Sequence, residues 1–403
     1  MSVTRSRIAG LVLALGAVVA APEREADPLA GPWRAVLDLA GGQLPFHVDV
    51  TAGSKGLAAR ICNGPSCTDA SAIVRAGDSV IVELADYAAT IALRIRGDSL
   101  AGTYRNVGNR GPRAIPFRAS RGRWPAASGL PALLGRWDAI FTTDQRKSPR
   151  VFEFRAGRTG LEASFEANSG DYGLFWGRAD ADSFRLAHFD GSFVYLITGR
   201  LSGDTLTGIF HAGVRTQTPF VAVRSTGKPH LVQPTELTRA DTTAPFQFSF
   251  PDLNGRTVTN TDPRFAGKVV VIDIFGTWCP TCHDAAPALV DMYRRYRARG
   301  LEVVGFAYEV SPDSAVANPL IRRFRDKFKI PYSLLRGGIN DVEATAATLP
   351  QLTGFTAYPT TVFLGRDGRV KAVYAGFRGP ATGEHYQKQL ADYERILAGL
   401  LVP

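Results

Sequence analysis

The 403-residue sequence contains only four cysteines, too few for the disulfide-dense class of small extracellular scaffolds. Its six histidines are scattered and form no metal-ligating constellation. Past the N-terminus no stretch approaches the roughly 18 uninterrupted apolar residues of a membrane-spanning helix. Charge of one sign is nowhere concentrated either. Lys and Arg total 47 against 37 Asp and Glu. The excess divides as +2 from Arg5 and Arg7, +4 from residues 22–244 and +4 from residues 245–403. Without a basic arm or tail, a nucleic-acid partner is not expected. At 45% apolar and 21% charged residues, neither a disordered nor a fibrous chain fits. The length predicts two or three domains at roughly 150 residues each.

What is present begins with an export signal. Arg5 and Arg7 form a charged start, Ile8 to Ala21 a largely apolar stretch, and small residues precede the polar Pro22-Glu23-Arg24. Residues 1–21 therefore read as a signal peptide cut after Ala20 or Ala21. Fourteen residues fall short of the roughly 20 that cross a bilayer, so membrane association is expected only if the segment stays uncleaved. The mature chain is expected in the periplasm or cell envelope, where disulfides persist.

Two composition regimes follow. From about residue 30 to 225, short alternating runs such as Val80-Ile81-Val82-Glu83-Leu84 are punctuated by turns such as Arg96-Gly97-Asp98, which predicts an all-β region. It is internally duplicated. Gly31-Pro32-Trp33-Arg34-Ala35 matches Gly135-Arg136-Trp137-Asp138-Ala139, and Asp98-Ser99-Leu100-Ala101-Gly102 matches Asp204-Thr205-Leu206-Thr207-Gly208. The offsets, 104 and 106 residues, define β-modules at 30–125 and 130–225, packed as two small sheets or closed into one barrel. Trp33 and Trp137 are expected to anchor their cores. The proline-bearing stretch 226–245 reads as a linker. Residues 246–403 then read as an α/β domain. Val269 to Phe275 and Leu301 to Ala307 are buried strands, each followed by a helix. Thr360 to Leu364 and Val370 to Ala375 form a hairpin, and a last helix follows.

The chemistry concentrates in Trp278-Cys279-Pro280-Thr281-Cys282, between a buried strand and a helix. This spacing lets the two sulfurs bridge. Cys279 stands at the helix N-terminus, where unpaired N–H groups and the macrodipole favour an anion. It is expected to attack a partner's disulfide as the nucleophile, after which Cys282 resolves the mixed disulfide. Zinc is disfavoured because no second C-x-x-C lies near. With His283 the motif also reads C-x-x-C-H, a c-type haem attachment. The apolar strand ahead of Trp278 and the want of a methionine ligand beyond Met1 and Met292 argue against haem. A thiol peroxidase is a further alternative, although Thr277 stands two rather than three residues before Cys279.

Phe250-Pro251-Asp252-Leu253-Asn254-Gly255, Gly267-Lys268 and Phe275-Gly276-Thr277-Trp278-Cys279 resemble exported thioredoxin-like proteins of the TlpA/ResA type, over residues 246–401. The resemblance implies that Tyr358-Pro359-Thr360 carries a cis-proline facing the cysteines, and that Pro287 matches the family's helix-kinking proline. It implies that Asp273, six residues before Cys279, assists proton transfer at Cys282. Trp278, Tyr358 and Thr360 would support the site. It favours a reductase keeping apocytochrome or other envelope thiols reduced, with no cofactor. Its partners would be clients carrying thiols or disulfides and an electron-donating thiol–disulfide protein. One departure stands out. Many relatives carry glutamate where this sequence has Ala285; Asp284 is adjacent but would point elsewhere on the helix, and Glu309 is a weaker substitute candidate.

Cys62 and Cys67 flank Asn63-Gly64-Pro65-Ser66 and are expected to form a structural disulfide, with a second redox pair as the alternative. The six arginines between Arg105 and Arg123 read as a solvated, glycine-rich loop or a docking surface. A different class of function also remains open: the β-modules recruit clients and the redox domain is their effector.

Overall fold

The computed structural model describes residues 27–402 apart from 55, 109–110, 127–130 and 144–145. The signal-peptide segment lies outside the described residues. The N-terminal region is all β. Strands from Gly31–Leu39 to Gly111–Arg121 form one nine-stranded antiparallel sheet that curls on itself, with Ser66–Asp69 and Ala72–Ala76 at its edges. Strands from Gly135–Thr142 to Thr216–Arg224 form an eight-stranded barrel, closed by pairing of its first and last members. Each module thus makes its own sheet, and only the second closes. Alternation does what period two requires: in Ser79–Leu84, Val80, Val82 and Leu84 are buried while Ile81 faces solvent.

The duplicated landmarks mark one device built twice. Trp33 and Trp137 are fully buried, and their indole N–H groups donate to the carbonyls of Leu29 and Leu133. Arg121 lies 4.0 Å over the Trp33 ring and Arg224 lies 4.1 Å over Trp137. Each arginine also donates to carbonyls of the segment entering its module, Arg121 to Ala30 and Arg224 to Leu134. First and last strands are thereby tied at the same place in both modules, where Trp33 pairs with Arg121 and Trp137 with Arg224. The two modules share a core, with Phe189 of the barrel 4.8 Å from Phe46 and 5.0 Å from Tyr104.

The arginine-rich stretch is not a loop. Most of it lies in the paired strands Ser99–Gly108 and Gly111–Arg121. Its side chains are tied down, Arg118 by Asp38, Arg123 by Asp49 and Arg113 by Asn106 and the Ser192 carbonyl. Glycines and charges masked a two-residue period in which the buried Ile115, Phe117 and Ala119 alternate with exposed residues, Arg118 among them.

The C-terminal domain is thioredoxin-like. Its strands β1 (Val269–Phe275), β2 (Leu301–Glu309), β3 (Ser333–Ile339), β4 (Thr360–Leu364) and β5 (Val370–Ala375) form one sheet in the order β3-β2-β1-β4-β5. β1, β2 and β3 run parallel, and β4 and β5 antiparallel. Helices α1 (Pro280–Tyr296), α2 (Ser314–Phe328), α3 (Val342–Thr348) and α4 (Glu384–Leu400) accompany it. β1 is buried throughout, which is why it reads as an unbroken apolar run.

Several elements differ from the sequence expectation, α3 among them, which was not anticipated. β3 was not anticipated, because Arg336, Gly337 and Gly338 interrupt its apolar pattern. The expected linker is packed: Pro234–Leu237 is a short helix, and Arg239–Ala240 pairs with Leu352–Thr353 of the C-terminal domain. That pairing joins segments more than 110 residues apart, beyond the reach of any local pattern.

Replacing Trp137 with alanine removes the ring and its hydrogen bond from the barrel seam. The variant is expected to lose about 3–5 kcal/mol in urea unfolding. An unchanged midpoint would show that the seam does not hold the barrel.

Candidate active site

β1 ends at Phe275, and Gly276-Thr277-Trp278 lead to Cys279, the N-cap of α1. Pro280 follows at the first helical position, where its missing N–H costs nothing and its φ suits the helix. Cys279 is 3% exposed and Cys282 fully buried; both are free thiols within hydrogen-bonding reach of each other. Cys279 Sγ lies 3.7 Å from the Tyr358 carbonyl oxygen. The Tyr358–Pro359 peptide is cis, and its Tyr358 carbonyl faces Cys279. Thr360 closes that turn by donating to the Ala357 carbonyl at 2.7 Å. Trp278 donates its indole N–H to the Tyr308 carbonyl at 2.8 Å and sets its ring edge-on to Tyr358, 5.4 Å away.

Asp273 sits within β1, 3% exposed, with no hydrogen-bond partner for its Oδ1 among the described residues. Burial pushes its pKa up to about 7. Its charge is felt at Cys282, whose thiol is pushed well up, first by burial, then by the hydrogen bond and charge of Cys279, then by Asp273. Asp273 and Cys282 therefore lie in one buried, low-dielectric space.

Glu309, a weaker candidate from the sequence, has a definite place. It is fully buried at the end of β2 and accepts from the Thr277 N–H at 2.9 Å and the Thr277 hydroxyl at 2.7 Å. Burial raises its pKa to about 7 against those two bonds. It holds the turn that leads into Cys279. Ala285 is buried in the core. Asp284 lines a cavity facing the barrel, where burial and then Asp171 and Asp190 raise its pKa to about 8.

His283 follows Cys282 in the first turn of α1. Its ring is buried against Tyr87, Phe324 and Phe328. Nε2 donates to the Thr277 carbonyl at 2.7 Å, and Nδ1 accepts from Lys327 at 3.3 Å. Burial, then Lys327, lower its pKa to about 4, so the ring is neutral. Both nitrogens are committed, which does not fit iron ligation. Pro287 lies inside α1 and leaves the His283 carbonyl without its usual helical donor.

No local sequence pattern placed the β-modules against this site. Ser192 of the barrel donates to the Trp278 carbonyl at 2.8 Å, and Thr281 donates to the Asp171 carbonyl at 3.3 Å. Asp86 of the first module pairs with Arg323 and Lys327 on α2. Only long-range packing reveals these contacts. Cys62 and Cys67 form a disulfide between adjacent strands, and Cys67 opens on the cavity that Thr281 and Asp284 also line.

Two free thiols spaced to bridge, one at a helix N-terminus and one deeper with a buried acid, make this domain a protein-disulfide oxidoreductase. The family model for redoxin matches residues 239–390, starting inside the segment expected as a linker. The chain is 27% identical over 143 residues to "Thiol-disulfide oxidoreductase ResA" of Bacillus thuringiensis subsp. konkukian, covering 36% of this chain and 74% of the relative. It is 31% identical over 140 residues to "Peroxiredoxin Q, chloroplastic" of Sedum lineare, covering 34% of this chain and 69% of that one. Among solved structures, a thioredoxin-family thiol:disulfide interchange protein from Chlorobium tepidum TLS is 23% identical, covering 41% of this chain and 99% of its own, with a TM-score of 0.31. Through its C-terminal domain the chain belongs to the redoxin family, and that domain is of the TlpA/ResA thioredoxin-like type.

The raised pKa of Asp273 has a consequence for stability. In the unfolded chain the carboxyl ionises near pH 4, in the folded chain near 7, so folding binds a proton between these values. Its contribution therefore lowers stability as pH rises from about 4 to about 7. Asp273→Asn stays neutral and escapes that loss. Its stability relative to wild type is expected to improve by about 2–3 kcal/mol between pH 5 and pH 8, in paired urea titrations. A constant difference across that range would contradict the assignment.

Proposed function

We propose that the protein is an exported reductant of disulfides in client proteins of the cell envelope. The observation that carries this reading is the pairing of Cys279 at a helix N-terminus with a buried Cys282 and the buried carboxyl of Asp273, whose Oδ1 has no hydrogen-bond partner among the described residues. Cys279, as thiolate, attacks one sulfur of a client disulfide; the client S–S bond breaks and its other sulfur leaves as a thiolate. Cys282 then gives its proton to ionised Asp273 and attacks Cys279 Sγ. The second client sulfur departs with a proton, the Cys279–Cys282 disulfide forms, and the client has gained two electrons. An electron-donating dithiol protein restores the pair. Pro359 and Tyr358 wall the position where the client sulfur must sit, and Trp278 and Thr360 hold that wall.

Electrostatics at Cys282 supports the reductase direction of this reading. A couple is oxidising when the protein stabilises its thiolate form. Here burial, the neighbouring sulfur and Asp273 all disfavour the charge at Cys282. A thiolate at Cys282 gains nothing from these neighbours, which supports the reductase direction. The peroxiredoxin Q relatives favour a second reading, thiol peroxidase. Against it, the Thr277 hydroxyl is donated to Glu309 and is not aimed at a peroxide.

The mechanism assigns separable phenotypes. Cys279→Ser is expected to abolish exchange, and Cys282→Ser to trap a mixed disulfide visible by mass spectrometry and released by dithiothreitol. Asp273→Asn is expected to slow the resolving step by about 10²-fold or more at neutral pH, so that the mixed disulfide accumulates. Trapping on Cys282 instead of Cys279 would reverse the roles. Faster consumption of hydrogen peroxide than of disulfide would favour the peroxidase.

A further inference from the structure

The barrel bears on the turn that carries Cys279. The loop Asp190-Gly191-Ser192-Phe193 bears on the active turn through the Ser192–Trp278 hydrogen bond. Nothing about this loop is loose. Asp190 accepts from the N–H groups of Ser192 and Phe193, both at 2.8 Å. His188 approaches the other Asp190 oxygen at 3.2 Å. From the first module, Tyr104 donates to the Gly191 carbonyl, Arg113 to the Ser192 carbonyl, and Asn63 bonds both ways to the Phe189 backbone. A segment bound from so many sides is a fixed wall, the opposite of the weakly held segments that serve as lids.

A cavity lies on either side of this wall. The larger, about 550 Å³, is lined by Asp86, Asp171, Asp190 and Asp284 against Lys327 and His188, with His283 neutral. The other, about 270 Å³, is lined by Phe193, Tyr195 and Phe210 and reaches Trp278, the residue before the nucleophile. Tyr195 is close enough for the charge of Cys279 to act on its phenol. Arg113 and Arg215 are the charged side chains of this lining. An apolar floor beside two guanidinium groups suits a large apolar side chain next to a carboxylate.

We propose that this barrel-mouth pocket is the substrate-recognition site of the enzyme. It takes a flexible polypeptide segment whose reacting cysteine is flanked by an aromatic or large aliphatic residue and an acidic one, and the wall excludes disulfides presented on folded surfaces. The inference rests on the exchange reading above and specifies its substrate class.

The test compares initial rates of reduction by the full reduced chain. Its substrates are a disulfide-linked peptide with Phe and Asp beside the cysteine, the same peptide with glycines there, a small folded protein with a surface disulfide, and bis(2-hydroxyethyl) disulfide. Val214 and Arg215 lie on the exposed rim, so Val214→Asp and Arg215→Glu leave the core untouched. The Phe–Asp peptide is expected to exceed the glycine peptide by about tenfold or more in kcat/KM, the scale of one well-placed pocket contact. Both substitutions should remove that preference and leave the rate on bis(2-hydroxyethyl) disulfide unchanged. Equal peptide rates in the wild type, a preference that survives both substitutions, or a folded disulfide reduced as fast as the Phe–Asp peptide would each overturn the proposal. If the wild type fails to reduce even bis(2-hydroxyethyl) disulfide, the exchange reading itself falls, and this inference with it.

Discussion

The redox centre is organised by one constraint: sulfur exchange needs a negative charge, and this site is buried against it. Cys282 has no access to solvent, and the carboxyl groups of Asp273 and Glu309 are held near neutrality by desolvation. Charge is admitted at one place, the N-terminus of α1, where Cys279 caps the helix. The surrounding groups serve that arrangement. Glu309 fixes the turn before Cys279, His283 spans from the Thr277 carbonyl to Lys327, and the Tyr358 carbonyl meets the sulfur from the opposite side.

The β half extends the same logic. Its barrel core is strongly aromatic, with Phe141, Phe152, Phe165 and Phe220 in mutual contact. Its contact with the redox domain is polar instead. Asp171 accepts from the Gly379 N–H, Glu166 binds Arg378 and His385, and Asp86 binds two basic residues of α2. Several of these acids are themselves buried, so the interface pairs each one with donors from across the boundary.

Local signals carried much of the architecture. The unbroken apolar run of β1, the hairpin of β4 and β5 and the alternation of the modules each reflect a burial pattern set within a few residues. The cysteine pair was legible because its chemistry depends on spacing. What stayed hidden depends on distant partners. β3 is coded by glycines that Tyr308 packs over, the segment 226–245 by a strand from beyond residue 350, and the arginine-rich stretch by acids on neighbouring strands. The wall over Cys279 is the extreme case. Asp190-Gly191-Ser192-Phe193 reads as an ordinary turn, and its meaning lies in Asn63, Tyr104, Arg113 and Trp278, none nearer than 70 residues.

The central claim, that burial and acidic neighbours make Cys279 and Cys282 a reducing couple, is tested most directly by their reduction potential. The measurement follows protein fluorescence across a thiol redox buffer, with Cys62 and Cys67 replaced by serine so that a single couple titrates. The account predicts a two-electron transition near the thioredoxin range, about −270 mV. A value near −120 mV would mean that the protein stabilises the thiolate after all, and would contradict it.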